Sequence, residues 1–169
     1  MLLKMLRERV RARAVEALDA IGVPAEPSLQ RFTEQASQAF AAPISLLTLL
    51  HDDQLWVKAS SGLEVECLPR EDGFCNHAVD RNELLEVCDA ATDPFFRHLP
   101  VVTGAPSIRY YIGAPLKLAS GVEVGALCVL DTKARFPAQR DQRAYLIGLA
   151  RQATHALERS AHIRGSLAA

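Results

Sequence analysis

The sequence predicts one α+β domain built on an antiparallel sheet, and three observations predict it. Both ends carry apolar residues at steps of three and four, the period of an amphipathic helix. Between them lie apolar runs that pair across short turns, as hairpins do. The chain has 169 residues, 49% hydrophobic and 23% charged, which suits one self-sufficient core. The order helix, helix, strands, irregular middle, hairpin, helix sets helices beside a sheet and does not alternate them with parallel strands.

The first segment places Leu3, Leu6, Val10, Ala14, Leu18 and Ile21 on one face, with Arg7, Arg9, Arg11 and Arg13 on others. Gly22 followed by Pro24 is a helix stop, because Gly accepts the left-handed cap and Pro cannot continue the ladder. Pro27-Ser28 opens a second helix with Ser28 as the expected N-cap and Leu29, Phe32, Ala36 and Phe40 on one face. After Pro43 the period changes: residues 44–50 are apolar on both faces, the pattern of a central strand of a covered sheet. Asp52-Asp53 makes the turn and residues 55–59 return as the partner strand.

Residues 60–108 are irregular, broken by Gly62, Pro69, Gly73, Pro94, Pro100, Gly104 and Pro106. A short helix near 74–80, a strand near 84–88 and one helical turn after Thr92 are expected there. Long ordered connections of this kind are where function concentrates. Two strands at 110–118 and 122–130 meet at Ser120-Gly121. From Pro137, expected in a first turn, a long helix runs with Leu146, Leu149, Ala153, Leu157 and Ala161 as its seam.

Nineteen Lys and Arg against twenty Asp and Glu give a formal charge of −1, which argues against a nucleic-acid-binding surface. No apolar run reaches the length of a membrane span. The basic first segment, interrupted by Glu8, Glu16 and Asp19, lacks the apolar stretch of a secretion signal. A cytoplasmic setting is therefore expected, and with it reduced thiols at Cys67, Cys75, Cys88 and Cys128.

The blocks Gly73-Phe74-Cys75-Asn76-His77-Ala78-Val79, Asp89, Asp93-Pro94, Tyr110-Tyr111-Ile112-Gly113-Ala114-Pro115-Leu116 and Gly125-Ala126-Leu127-Cys128-Val129-Leu130-Asp131 follow one another along the chain. Together they resemble a GAF domain, of the bacterial subgroup found in sensor histidine kinases, diguanylate cyclases and phosphodiesterases. The resemblance runs from about Ser28 to Leu157. It implies a six-stranded antiparallel sheet, terminal helices packed on one face and a ligand-pocket cover on the other. It also implies a sensory role, in which a small molecule or a partner is bound and the change passes along the terminal helices. Two departures stand out. Phe95-Phe96 followed by Arg97 replaces the Arg-Phe usual after the Asp-Pro step, and the Asn-Lys-Phe-Asp-Glu set of cyclic-nucleotide-binding members is absent.

The ligand wall expected from these residues is Trp56, Phe74, Cys75, His77, Phe95, Phe96, Arg97, Arg109, Tyr110 and Tyr111. Aromatic faces with a few polar tips suit a small, partly planar molecule; the alternative is that the same side chains simply fill the space under the cover. Cys75, expected in a first helical turn, reads either as a redox-sensing or bilin-attaching thiol or as a small packing residue. The resemblance extends to GAF-fold free methionine-(R)-sulfoxide reductases, whose nucleophile would fall near Asp93–Pro100, where this chain has no cysteine. Cys88 and Cys128 read as core, Cys128 on one face with Val124 and Ala126. Cys75-x-His77 is a single weak pair, so no metal site is expected. His77 and His98 are the available haem ligands in the middle segment, or ordinary structural histidines. Asp89, Asp93 and Arg109 read as loop braces.

The expected division is a dimer or linker helix over residues 1–25, the domain over 26–158, and the helix end and tail over 159–169. Beyond Leu157 little domain is left to cover, which favours a homodimer seam. The arginines of the first helix form a solvated face or meet an acidic partner. The expected whole is a stand-alone, non-catalytic sensory or regulatory domain with an unknown ligand and a possible signalling partner. The alternatives are an unliganded dimerisation module and a thiol enzyme of the reductase kind.

Overall fold

Pro27, whose fixed φ suits the first helical position, starts a helix one residue before the N-cap that the sequence pattern suggests. The N-cap is therefore Glu26 and not Ser28. The structure is a computed structural model that describes residues 1–18, 20, 21, 23 and 26–169. The expected stop at Gly22 and Pro24, and Asp19, lie outside the described residues.

The helices are α1 (Leu2–Ala17), α2 (Pro27–Phe40), α3 (Cys75–Arg81), α4 (Pro100–Thr103) and α5 (Arg140–Ala168). The strands are β1 (Ile44–His51), β2 (Gln54–Ser61), β3 (Cys67–Pro69), β4 (Leu85–Val87), β5 (Tyr110–Lys117) and β6 (Glu123–Asp131). They form one six-stranded sheet in the order β3-β2-β1-β6-β5-β4, and every neighbouring pair is antiparallel. Strand β3 and the 3-10 turn Arg70–Asp72 that follows it are additions to the elements expected from the sequence. Helix α5 starts at Arg140 under a Gln139–Gln142 capping box, so Pro137 precedes the helix instead of opening it.

Strand alternation separates two cores. On one face Leu47, Leu49, Ile112, Ala114, Leu127 and Val129 meet Phe32 and Ala36 of α2 and Leu146, Leu149 and Ala153 of α5. On the other, Leu46, Leu50, Tyr111, Ala126, Cys128 and Leu130 meet the irregular middle segment. Gly125 sits where β6 crosses β1: a Cβ there would lie 1.8 Å from the Thr48 carbonyl oxygen, so only glycine allows the approach. Just beside it the β5–β6 register slips between Leu116–Gly125 and Lys117–Glu123. The slip sends Val124 to the helix face, away from the face that Ala126 and Cys128 share.

Helix α1 turns only the later part of its apolar stripe inward: Ala14, Leu18 and Ile21 pack on the helix-side core, and the earlier part faces out. Arg11, Val15 and the following Leu18 are buried, whereas Leu3, Leu6 and Val10 are 68%, 48% and 52% exposed. Arg11 is no part of a solvated face: its Nε donates to the Glu123 carbonyl at 2.8 Å and its guanidinium pairs with Glu8. The end of α5 also has neighbours. Ala161 packs on the helix-side core, Ser160 Oγ donates to Glu26 at 2.7 Å, and Arg164 pairs with Glu26 and donates to the Leu18 carbonyl at 2.7 Å.

Candidate functional site

The second face of the sheet is closed by short pieces that cannot pack as tightly as helices, and a cavity of about 280 Å³ remains between them. Leu46 and Thr48 of β1, Leu55 of β2 and Cys128 and Leu130 of β6 make its floor. The walls come from the cover: Leu63, Val65 and Leu68 on one side, Phe74 and Cys75 at the start of α3, Val101 of α4 and Ile108 beyond it. Nearly all of that lining is aliphatic or aromatic, so the space suits a small uncharged molecule with a large apolar surface.

Polar atoms are few and gathered at one end. The sulfurs of Cys75 and Cys128 lie 3.8 Å apart, both buried. Thr48 Oγ1 donates to the Ala126 carbonyl at 3.3 Å. The Tyr111 ring stacks on Phe74 at 4.9 Å between centroids, and its hydroxyl is buried without a hydrogen-bond partner. That hydroxyl overlies Gly113, where an added Cβ would stand 2.0 Å from the oxygen, so the glycine makes the ring position possible. The thiol of Cys128, within reach of Cys75, lowers Cys75 to about 7 against the opposing effect of burial, with help from the Thr48 and Tyr111 hydroxyls. Cys128 moves the other way, its pKa raised by the neighbouring Cys75 and by burial.

Of the ten side chains expected at the ligand wall, three line the cavity: Phe74, Cys75 and Tyr111. Phe96 is buried one layer behind, 5.1 Å from Phe74 between ring centroids, and His77 sits edge-on to Phe96 at 5.1 Å. Burial and the nearby Arg81 lower the His77 pKa, which suits a neutral ring packed on aromatics. Phe95 is 62% exposed and Arg97 is on the surface. Arg109 braces the cover, its Nη1 donating to the Val102 and Ile108 carbonyls at 2.9 and 3.0 Å. Asp89 and Asp93 accept from the amides of Ala91 and Phe95 at 3.1 and 2.8 Å, the turn-bracing geometry.

Trp56 and Tyr110 are on the wrong side of the sheet for the cavity. Trp56 pairs with Leu49, a residue of the helix-side core, and Tyr110 belongs to that core outright. The Tyr110 hydroxyl donates to Glu86 at 2.9 Å; burial and that carboxylate both raise its pKa. The aliphatic walls escape sequence reading because they share their residue types with any core. One signal is present: residues 44–50 are apolar on both faces, so the second face has to meet something.

The cover is tied to α1 by charge. Arg70, in the 3-10 turn between β3 and α3, donates from Nε to Asn76 Oδ1 at 2.6 Å and from its terminal nitrogens to Glu8 at 2.5 and 3.0 Å. Asp80 of α3 stands 3.5 Å from the same guanidinium. Burial works to raise the Glu8 pKa, but the bonds from Arg70 and Arg11 prevail and hold it below the usual carboxylate range. Leu68 and Phe74, on either side of Arg70 in sequence, are cavity walls. Cavity walls and the ion pair that holds α1 thus share one short stretch of chain.

The sequence model for the family described as GAF domain matches residues 24–157. Over 135 residues the chain is 39% identical to a cyclic di-GMP phosphodiesterase of Pseudomonas aeruginosa, covering 79% of this chain and 23% of that protein. It thus spans about a quarter of that relative. Among solved structures it is similar to the GAF domain of an Acinetobacter phosphoenolpyruvate-protein phosphotransferase, with a TM-score of 0.67 at 18% identity over 95% of this chain and 98% of that one. It is also similar to a type II free methionine-R-sulfoxide reductase from Thermoplasma acidophilum, with a TM-score of 0.66 at 17% identity over 80% and 93%. At these identities the structural likeness speaks for the fold. The sheet order, the two-sided core and the sequence match over residues 24–157 agree, and the chain belongs to the GAF domain family.

Proposed function

We propose that this GAF domain is a sensory or regulatory module that binds a small, uncharged, largely apolar molecule between sheet and cover. GAF domains are typical of signalling proteins, and the phosphodiesterase relative belongs to that class. The observation that carries the reading is the 280 Å³ apolar cavity whose walls lead, through Arg70, to Glu8 on the terminal helix. Binding would signal only if the ligand prefers one arrangement of the cover over another; affinity alone shifts nothing.

The output side of the reading is a homodimer. Leu3, Leu6 and Val10 of α1 and Ile163 and Leu167 of α5 are all exposed, which supports a seam along the terminal helices. A signalling protein partner would act on the same surface. Among the described residues no helix is long and apolar enough to cross a membrane.

Native mass spectrometry of the purified chain, repeated under denaturing conditions, tests both parts. The expected result is a dimer with added mass that disappears on denaturation. Added mass that survives would point to a covalent adduct. A bare dimer that takes up no member of an apolar small-molecule library would leave an unliganded dimerisation module, and a monomer would remove the output seam.

A further inference from the structure

We propose that Cys75 and Cys128 are a reversible two-electron thiol–disulfide pair, oxidised by a small neutral hydroperoxide that reaches them through the cavity. Three observations converge. The two sulfurs are 3.8 Å apart on different elements, one opening α3 and one in the middle of β6. Both residues line the cavity, so their burial leaves them a route to a small reagent. Beside the Cys75 sulfur lies the buried Tyr111 hydroxyl, which makes no full hydrogen bond in the resting protein and helps to lower the Cys75 pKa. It is placed to donate to a peroxide oxygen or to the thiolate. The other two cysteines share none of this: Cys67 is exposed, and Cys88 stands apart with its pKa raised by burial and then by Glu86.

The chemistry balances in two steps. The Cys75 thiolate attacks one peroxide oxygen; the S–O bond forms, the O–O bond breaks, and the departing oxygen leaves as water or alcohol after taking up a proton. Cys75 is then a sulfenic acid, oxidised by two electrons. The Cys128 sulfur, giving up its proton, attacks the Cys75 sulfur; the S–S bond forms, the S–O bond breaks, and the hydroxide departs as water with that proton. An external dithiol restores both thiols. Drawing the sulfurs from 3.8 Å to a bond of about 2 Å pulls the start of α3 onto β6. Asn76, the next residue, holds Arg70, so the pull reaches the ion pair with Glu8. The pair needs the cavity as a passage only, so it stands or falls separately from the ligand reading.

The test treats the reduced, folded chain with hydrogen peroxide, alkylates the remaining thiols after denaturation, and maps the peptides. The expected product is a Cys75–Cys128 cross-link, lost on treatment with dithiothreitol, with Cys67 and Cys88 alkylated. In C128S the reaction should stop at a Cys75 sulfenic acid captured by dimedone. Four alkylated cysteines after peroxide, or a disulfide that uses Cys67 or Cys88, would overturn the proposal. If C128S does not fold, the wild-type chain still decides. Cross-linking should accelerate as pH rises through about 7, the region of the Cys75 thiolate, and level off above it. A rate still climbing steeply well beyond that region would place the reaction on an ordinary thiol and overturn the assignment.

Discussion

The two faces of the sheet solve the same problem with different materials. On the helix side, α2 and α5 lay long amphipathic stripes across the strands, and Phe32, Ala36, Leu146 and Ala153 are buried to within 1%. On the cover side, a three-residue strand, a 3-10 turn and two short helices do the work, and they leave about 280 Å³ unfilled. The difference teaches that a cavity here needs no special residue. It follows from covering a strand face with pieces too short to interlock.

The comparison breaks first at its strongest point. Phe32→Ala removes a ring from the filled face and should cost about 3–5 kcal/mol. Leu63→Ala, on a wall that already borders empty space and is only half-buried, should cost less than ~2 kcal/mol. Urea unfolding of both variants checks this; equal losses would mean that the cover face is as tightly packed as the helix face.

Filling the cavity sharpens the contrast. Leu63→Trp should leave the fold intact and weaken a bound apolar ligand by at least tenfold, about 1.4 kcal/mol, read by titration or by the mass carried in native spectra. Ala78 is fully buried in the core behind the cavity and does not border it, so Trp there would break packing instead.

A smaller effect belongs to the tie between the cover and α1. Glu8→Gln should cost about 1 kcal/mol, because it removes a half-buried charge-assisted pair. The wild-type pair should behave likewise in acid. The folded Glu8 pKa is lowered, so its contribution is fully present above the ordinary value of 4.5 and is lost as pH falls through the lower folded value. Hydrogen exchange of α1 amides between pH 6 and 3, corrected for intrinsic rates, should show that loss in the wild type and not in the variant.

Smallest is Tyr111→Phe. Removing an unpaired buried hydroxyl should be neutral or stabilising by up to about 1 kcal/mol in thermal unfolding. A clear destabilisation would mean that the oxygen has a partner. Weaker ligand binding in the variant would identify that hydroxyl as a ligand contact.

Periodicity carries information about long elements, and that decides what can be read in advance. The buried faces of α2, β1 and α5 are legible because several turns or strand residues repeat one pattern. Strand β3 has three residues and no period to show. Single-residue register changes are equally invisible, and they have large consequences: the slip near Gly125 moves Val124 across the sheet while Cys128 stays with Ala126. At the site, aromatic residues draw attention because they are distinctive. Adjacent tyrosines in a strand must face opposite ways, however, so Tyr110 and Tyr111 are unable to share a pocket. In α1 the apolar period is exposed at Leu3, Leu6 and Val10 and turns inward only from Ala14 onward, and the inward side also holds Arg11, whose charge is met by Glu8 and a β6 carbonyl.

The placement of β1 against β6 has a consequence for how the domain comes into being. Ile44 pairs with Leu130 and Leu49 with Gly125, so the middle of the sheet joins segments separated by most of the domain. Contacts that distant slow folding, because a long loop must close before they contribute anything. During synthesis the earlier strands would wait as a hairpin with one edge open until β6 leaves the ribosome. The cavity floor includes Cys128 and Leu130 of that same strand. Any molecule held there is thus met only after β6 has joined the sheet, and an exposed β1 edge is the price of the waiting time.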